Sequence, residues 1–394
     1  MEENKFLFNK EKSIDKNKKN IYVTYCMYGN GHFSAAKAIA NYLDKNKSEE
    51  YNVFFVDGIE EASKVMDTFF RTAYSNMQTY SPKLWGDIFK ISEKGILNKI
   101  VEEQPYLKID RINKIFKENE PDYIIATHPF LTNLFVKLKE KGKIDSEISV
   151  VITDYEAHKS WYLPSENISK YFIPSIKIKE EMIKDGVDEN KIVYTGIPLE
   201  YNFTEKFTKE YIEEIKEELD IKKEKKIITY FCNGISISKK NLRKVENDLI
   251  KISDILKDYQ IICISGKNAK MYEKLEEIIE KNKMENVKLI SFTKRAKELM
   301  YMSEVVFTKP GGLTVAECLA MGTPIMITMY IPGQEEGNVR YIEDNKAGEF
   351  VNTENIEEIC HKIKNEPEYI KELSKNALAI GNIKSTQKII ENMI

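Results

Sequence analysis

Val305-Val306-Phe307-Thr308-Lys309-Pro310-Gly311-Gly312-Leu313-Thr314-Val315-Ala316-Glu317 runs from a β-prone apolar triplet through a double glycine into a helix-forming stretch. Strand, glycine turn and helix start in that order are half of a βαβ unit, and that unit decides the fold class. Glycines let backbone N–H groups come close to a ligand, and the dipole of the helix behind them favours an anion. Pro310, Gly311 and Gly312 are therefore a candidate phosphate cradle. Thr314 is expected to cap a helix that begins near it and to offer its hydroxyl to a phosphate. Glu317, one turn further on the same face, suits the two hydroxyls of a ribose. A plain strand-to-helix turn with a Thr314-x-x-Glu317 capping box accounts for the spacing equally well.

The alternation extends in both directions. Ile21-Tyr22-Val23-Thr24-Tyr25, Val53-Phe54-Phe55-Val56, Tyr123-Ile124-Ile125-Ala126, Ile148-Ser149-Val150-Val151-Ile152 and Tyr171-Phe172-Ile173 form one series of buried-strand patterns separated by amphipathic helices. Ile227-Ile228-Thr229-Tyr230-Phe231, Ile261-Ile262-Cys263-Ile264, Val287-Lys288-Leu289-Ile290, Val305-Val306-Phe307 and Pro324-Ile325-Met326-Ile327 form a second. Such runs predict two α/β domains, each a doubly wound parallel sheet. The expected divisions are a flexible arm over residues 1–19, a first domain over 20–200, a second over 201–365, and a C-terminal helical segment over 366–394 that returns to the first domain.

Loops at the carboxyl ends of strands in open α/β sheets converge on one crevice. In the second half this brings in Gly234 and Ser236 of Asn233-Gly234-Ile235-Ser236, and Ser265, Gly266 and Lys267. Phe292 of Ser291-Phe292-Thr293 and the loop Pro332-Gly333-Gln334-Glu335-Glu336-Gly337-Asn338 join them, with Gln334 and Glu335 suited to sugar hydroxyls and Asn338 beside them. Each alone reads more simply as a turn; their shared edge is what makes them a site. In the first half, Gly29-Asn30-Gly31 turns the chain after a strand and presents His32 at a helix start. An imidazole there is a candidate general base, although a lone histidine after a glycine loop is more often structural. His128 of Thr127-His128-Pro129, and Asp154 and His158 of Thr153-Asp154-x-x-x-His158-x-x-Trp161, also follow strand ends. For Asp154 and His158, positioning the acceptor or orienting His32 competes with capping and packing roles, and for His128 a structural role is the simpler reading.

Lys309-Pro310-Gly311-Gly312-x-Thr314-x-x-Glu317 followed by Pro332-Gly333-Gln334-Glu335 resembles the donor-binding signature of the monogalactosyldiacylglycerol synthase and processive diacylglycerol glucosyltransferase family. Tyr28-Gly29-Asn30-Gly31-His32-x-x-Ala35-Ala36, the Thr153 to Trp161 motif and Thr195-Gly196-Ile197-Pro198 resemble its acceptor-side half, so the likeness spans roughly residues 20 to 390. The resemblance implies a GT-B architecture, in which two Rossmann-like domains face a cleft. It implies inverting, metal-independent transfer from UDP-glucose or UDP-galactose, a co-substrate rather than a cofactor, to diacylglycerol or a related lipid. His32 then becomes the catalytic base, Gly31, His128, Asp154 and His158 acceptor-side residues, and the second-half loops the donor site. Many plant-type members carry an aspartate in the loop five residues before the histidine; Met27 stands there in this chain, so the resemblance implies no aspartate partner for His32 from that loop. N-acetylglucosaminyl transfer to a polyprenyl-linked peptidoglycan precursor and a non-catalytic UDP-sugar sensor are the rival readings.

Composition agrees with such a protein and excludes others. At 394 residues, 42% hydrophobic and 31% charged, the chain suits two globular domains. A net charge of −3 gives no general attraction to nucleic acid, and no base-reading module is present, so nucleic acid is not an expected partner. Five scattered cysteines make neither a disulfide framework nor a metal site. Abundant Lys, Ile and Asn suggest an AT-rich bacterial genome. No signal peptide or apolar run of roughly 20 residues appears, which predicts a cytoplasmic protein. Phe69, Phe70, Tyr74, Tyr80 and Trp85 interleave with Arg71 and Lys83, and Lys90, Lys94 and Lys99 follow. Rings and cations in that mixture suit the anionic inner face of a cell membrane, or else a solvated basic helix face.

Overall fold

The computed structural model describes residues 6–27, 30–62, 109–162, 165–204, 207–222 and 224–394. The aromatic and basic stretch proposed for the membrane lies outside them. The chain divides into two compact units; the first runs to Asn202 and takes in Ile383–Ile394, and the second spans Phe203–Asn382.

In the first unit β1 (Lys19–Tyr25), β2 (Tyr51–Asp57), β3 (Tyr123–Ala126), β4 (Glu147–Val151), β5 (Lys170–Ile173) and β6 (Ile192–Tyr194) make one parallel sheet in the order β2-β1-β3-β4-β5-β6. Successive side chains serve opposite faces. Tyr22 joins Phe54, Ile124 and Tyr171 in one core; Ile21 and Val23 join Ile39, Leu43, Ile125 and Phe172 in the other. Burial on both faces is why these strands read as continuous apolar runs rather than alternating ones.

Two features of this unit correct the sequence reading. The segment expected to be a free arm is docked: residues 6–8 pair antiparallel with β2, Phe8 N–H donating to the Val53 carbonyl and Phe55 N–H to that of Phe6, both at 2.8 Å. Leu7 is buried, and Lys12 holds Asp44 at 2.7 Å. β2 is an edge strand, whose unpaired N–H and C=O groups accept an extended segment with three apolar side chains. The C-terminal return also begins later than residue 366. Helix Pro367–Ile380 belongs to the second unit, while helix Ser385–Met393 belongs to the first and inserts Ile389 and Ile390 into its core. Ser385 Oγ accepts the Leu199 N–H, and Thr386 Oγ1 donates to the Leu199 carbonyl, at 3.2 and 2.7 Å. Gly381 separates the two helices, and a Cβ there would collide with the Leu319 carbonyl.

The second unit holds β7 (Lys226–Phe231), β8 (Tyr259–Ile264), β9 (Val287–Ile290), β10 (Ser303–Thr308), β11 (Ile325–Ile327) and β12 (Gly348–Phe350), all parallel, in the order β12-β11-β10-β7-β8-β9. Counted within the unit, this is the 3-2-1-4-5-6 order of dinucleotide-binding sheets. Strand order reverses between β7 and β10 here, and between β1 and β3 in the first unit. Ligands of open α/β sheets bind just beyond the carboxyl ends of strands at such switch points.

Candidate active site

The phosphate-cradle segment begins at the switch point of the second sheet, immediately after β10. Helix Gly312–Met321 starts two residues earlier than expected, with Gly311 as its N-cap and no side chain capping it. Thr314 is therefore not the cap, and the capping-box reading falls: Gly311, the first of the two glycines, holds the N-cap position in an extended conformation. The first intrahelical bond is Val315 N–H to the Gly311 carbonyl at 2.9 Å. The amides of Gly312, Leu313 and Thr314 thus precede the ladder and are oriented for an anion. Thr314 and Glu317 lie half-buried on this helix.

The structure gathers the other second-half loops around this turn. Gly234, after β7, has φ +78°, and a Cβ there would lie 3.4 Å from Lys309 Cε. Gly266, after β8, has φ +76°, and its Cβ would lie 3.0 Å from that of Asn233. Ser265 and Gly266 donate their N–H groups to the carbonyls of Ile290 and Ser291, so the loops after β8 and β9 are bonded together. Lys267 Nζ stands 4.7 Å over the Phe292 ring, itself 52% exposed. Ser236 Oγ accepts from Asn241 Nδ2 at 2.9 Å, which fixes the turn before helix Lys239–Ile255.

Gln334 is half-buried in the loop after β11. Two of its neighbours are placed otherwise than expected. Asn338 is buried and donates from Nδ2 to the Pro310 carbonyl at 2.9 Å, so it supports the cradle from beneath. Glu335, expected on hexose hydroxyls, is also buried: Oε1 pairs with Lys309 Nζ at 2.6 Å, and Oε2 accepts the Ile331 N–H at 2.8 Å. Spacing identified the loop but not this pair, because Lys309 and Glu335 are 26 residues apart and meet only through the sheet.

In the first unit, helix Asn30–Asn46 follows β1 and carries Gly31 and His32 in its first turn. His32 Nδ1 lies 2.7 Å from the Thr127 carbonyl and 3.0 Å from Thr153 Oγ1. A carbonyl only accepts, so Nδ1 carries the proton and Nε2 keeps its lone pair, the tautomer a base requires. His32 as a residue is half-buried, and desolvation of its ring lowers the pKa to about 4, against a smaller upward effect of the Thr127 carbonyl. The imidazole is thus neutral at physiological pH. Its centroid stands 4.7 Å from that of His128 in an edge-on contact and 6.2 Å from Trp161.

His128 and His158 have evident structural work. His128 caps helix Pro129–Glu140, its Nδ1 accepting the Phe130 N–H at 3.2 Å, and burial holds its pKa well below the ordinary value. His158 is buried and caps the short turn Lys159–Trp161 through the Ser160 N–H. Asp154 is half-buried just beyond β4. The carbonyl of Thr127 and the hydroxyl of Thr153, the groups that orient His32, were not singled out from sequence. Their signal was available only as position, each one or two residues past a strand end.

Comparison with known proteins agrees with this geometry. Residues 32–199 match the family model described as monogalactosyldiacylglycerol (MGDG) synthase, and residues 212–393 match the glycosyltransferase family 28 C-terminal domain. A processive diacylglycerol beta-glucosyltransferase of Bacillus licheniformis is 27% identical over 384 residues, covering 95% of this chain and 94% of that protein. One of Staphylococcus epidermidis is 27% identical over 382 residues, covering 97% and 93%. The S. aureus MnaA–UDP co-structure superposes with a TM-score of 0.64 at 12% identity, covering 95% and 96% of the chains, a likeness of fold. Two parallel Rossmann-like sheets, each with its candidate loops at its own switch point, together with the family 28 match make this a GT-B glycosyltransferase. Within that class the chain belongs to the monogalactosyldiacylglycerol synthase and processive diacylglycerol glucosyltransferase family.

Proposed function

We propose that this enzyme transfers glucose from UDP-glucose to the hydroxyl of diacylglycerol at a membrane surface, with inversion at the sugar. His32 carries the proposal: its Nδ1 proton is committed to the Thr127 carbonyl 2.7 Å away, which leaves Nε2 to take the proton of an attacking hydroxyl. As that proton moves to Nε2, the acceptor oxygen bonds to the hexose C1 and the C1–oxygen bond to UDP breaks on the opposite face. The charge that develops on UDP falls to the first-turn amides of helix Gly312–Met321. Glu317 takes the ribose, and Gln334 and, once released from Lys309, Glu335 take the hexose hydroxyls. The names of the relatives favour glucose over galactose and diacylglycerol over a polyprenyl acceptor. Because the named relatives act on diacylglycerol, a membrane lipid, we place the enzyme at the membrane surface, on its cytoplasmic face; among the described residues no helix is long and apolar enough to cross a membrane.

Expression in a heterologous bacterial host, followed by mass spectrometry of its lipids, tests the proposal. Hexosyl-diacylglycerols appear with the wild-type chain and not with His32→Ala. Absence of hexosylated lipid from cells that accumulate the folded wild-type protein contradicts it.

A further inference from the structure

Lys309 and Glu335 stand where the loops after β10 and β11 meet, with side chains only 18% and 5% exposed. The Glu335 carboxylate also lies against the N-terminus of helix Gly312–Met321, since a Cβ built on Gly311 would be 3.9 Å from Oε1. A negative charge beside a helix N-terminus, with an ammonium on its other side, has the surroundings that suit a phosphate. Lys309 is meanwhile covered by the loop after β7, where a Cβ on Gly234 would stand 3.8 Å from Nζ.

We propose that Glu335 is a built-in stand-in for the donor's diphosphate, and that donor binding exchanges the two. Lys309 passes from the carboxylate to the diphosphate, and the carboxylate, released, turns to the hexose. The proposal rests on the donor site assigned above and adds an order of events to it. Exchange keeps the poorly solvated ammonium paired throughout, which avoids the high cost of an isolated buried charge. It also makes the sugar-reading carboxylate available only after a nucleoside diphosphate has taken its place, so hexose recognition follows phosphate occupancy.

Calorimetric titration of the full chain with UDP and with UDP-glucose tests this. Lys309→Gln is expected to weaken UDP binding about tenfold or more, and Lys309→Arg to recover part of the loss. Glu335→Gln acts with the opposite sign: it removes the competing carboxylate and raises UDP affinity about three- to tenfold, while lowering affinity for UDP-glucose relative to UDP. Glu335→Asp, which keeps the charge on a shorter arm, shifts UDP affinity the same way to a smaller extent and replaces the Gln variant if that one does not fold. Equal weakening of UDP binding by Lys309→Gln and Glu335→Gln would make the pair a structural strap and overturn the exchange while leaving the donor site standing. A wild-type chain without affinity for UDP overturns the donor site itself.

Discussion

At the residue scale, His32 is governed by two carbonyl-side facts: what its Nδ1 bonds and how little water reaches its ring. The first fixes the tautomer and the second lowers the pKa from 6.5 to about 4. A lowered histidine pKa means that the neutral, basic form persists as pH falls. The rate profile is therefore expected to stay flat from about pH 7 to about pH 5 and to decline only near pH 4, measured as kcat/KM with saturating lipid. An inflection at 6.5 would show a solvated imidazole instead. Folding stability moves in the same window: between 6.5 and 4 the unfolded chain binds this proton and the folded one does not, so stability falls as the pH is lowered. Burial of His128, pressed further by the His32 imidazole, adds to the fall with the same sign. His32 stood out in the sequence by its place after a strand and a glycine turn, and the role proposed for it came from the family resemblance. The orientation of its ring was not legible, because Thr127 and Thr153 follow β3 and β4, distant in sequence from His32 and brought beside it only through the sheet.

Among the elements, strands buried on both faces were the easiest to read. The triplets that became β6 and β12 were not recognised: Ile192-Val193-Tyr194 and Gly348-Glu349-Phe350 are short, and each lies at a sheet edge. Gly348 is required there by contact rather than by turn geometry, since a Cβ would collide with the Ile325 carbonyl of β11. The start of helix Gly312–Met321 was misjudged for a related reason. Thr314 looks like a cap in isolation, but glycine is also accepted at the N-cap, and Gly311 holds that position with no side chain capping the helix. Segment 6–8 carries the clearest elemental prediction. Leu7→Ala removes a buried side chain from the strand added to β2 and is expected to cost about 2–4 kcal/mol in denaturant unfolding. A loss below about 0.5 kcal/mol, the range of ordinary surface substitutions, would show that the segment is not docked in solution.

For the whole molecule, the two-sheet plan could be read from ten apolar runs, and the family from motifs in both halves. What sequence order hid is that the last helix completes the first core. Removing residues 383–394 strips Ile389 and Ile390 from the cluster around Ile39 and Leu43, and leaves Leu199 without Ser385 and Thr386. Truncation there is expected to lower the thermal midpoint of the first unit by about 10 °C or more, the loss of two buried aliphatic side chains setting the scale. Calorimetry of the truncated chain showing an unchanged midpoint would contradict that packing.

The measurement closest to the central claim is transfer in vitro from radiolabelled UDP-glucose to diacylglycerol in anionic vesicles, with the anomer of the product assigned by NMR. We expect a β-linked glucosyl-diacylglycerol, and a His32→Ala enzyme that still binds UDP yet forms product at least about a hundredfold more slowly. An α-linked product, or a His32→Ala enzyme as fast as the wild type, would contradict the account.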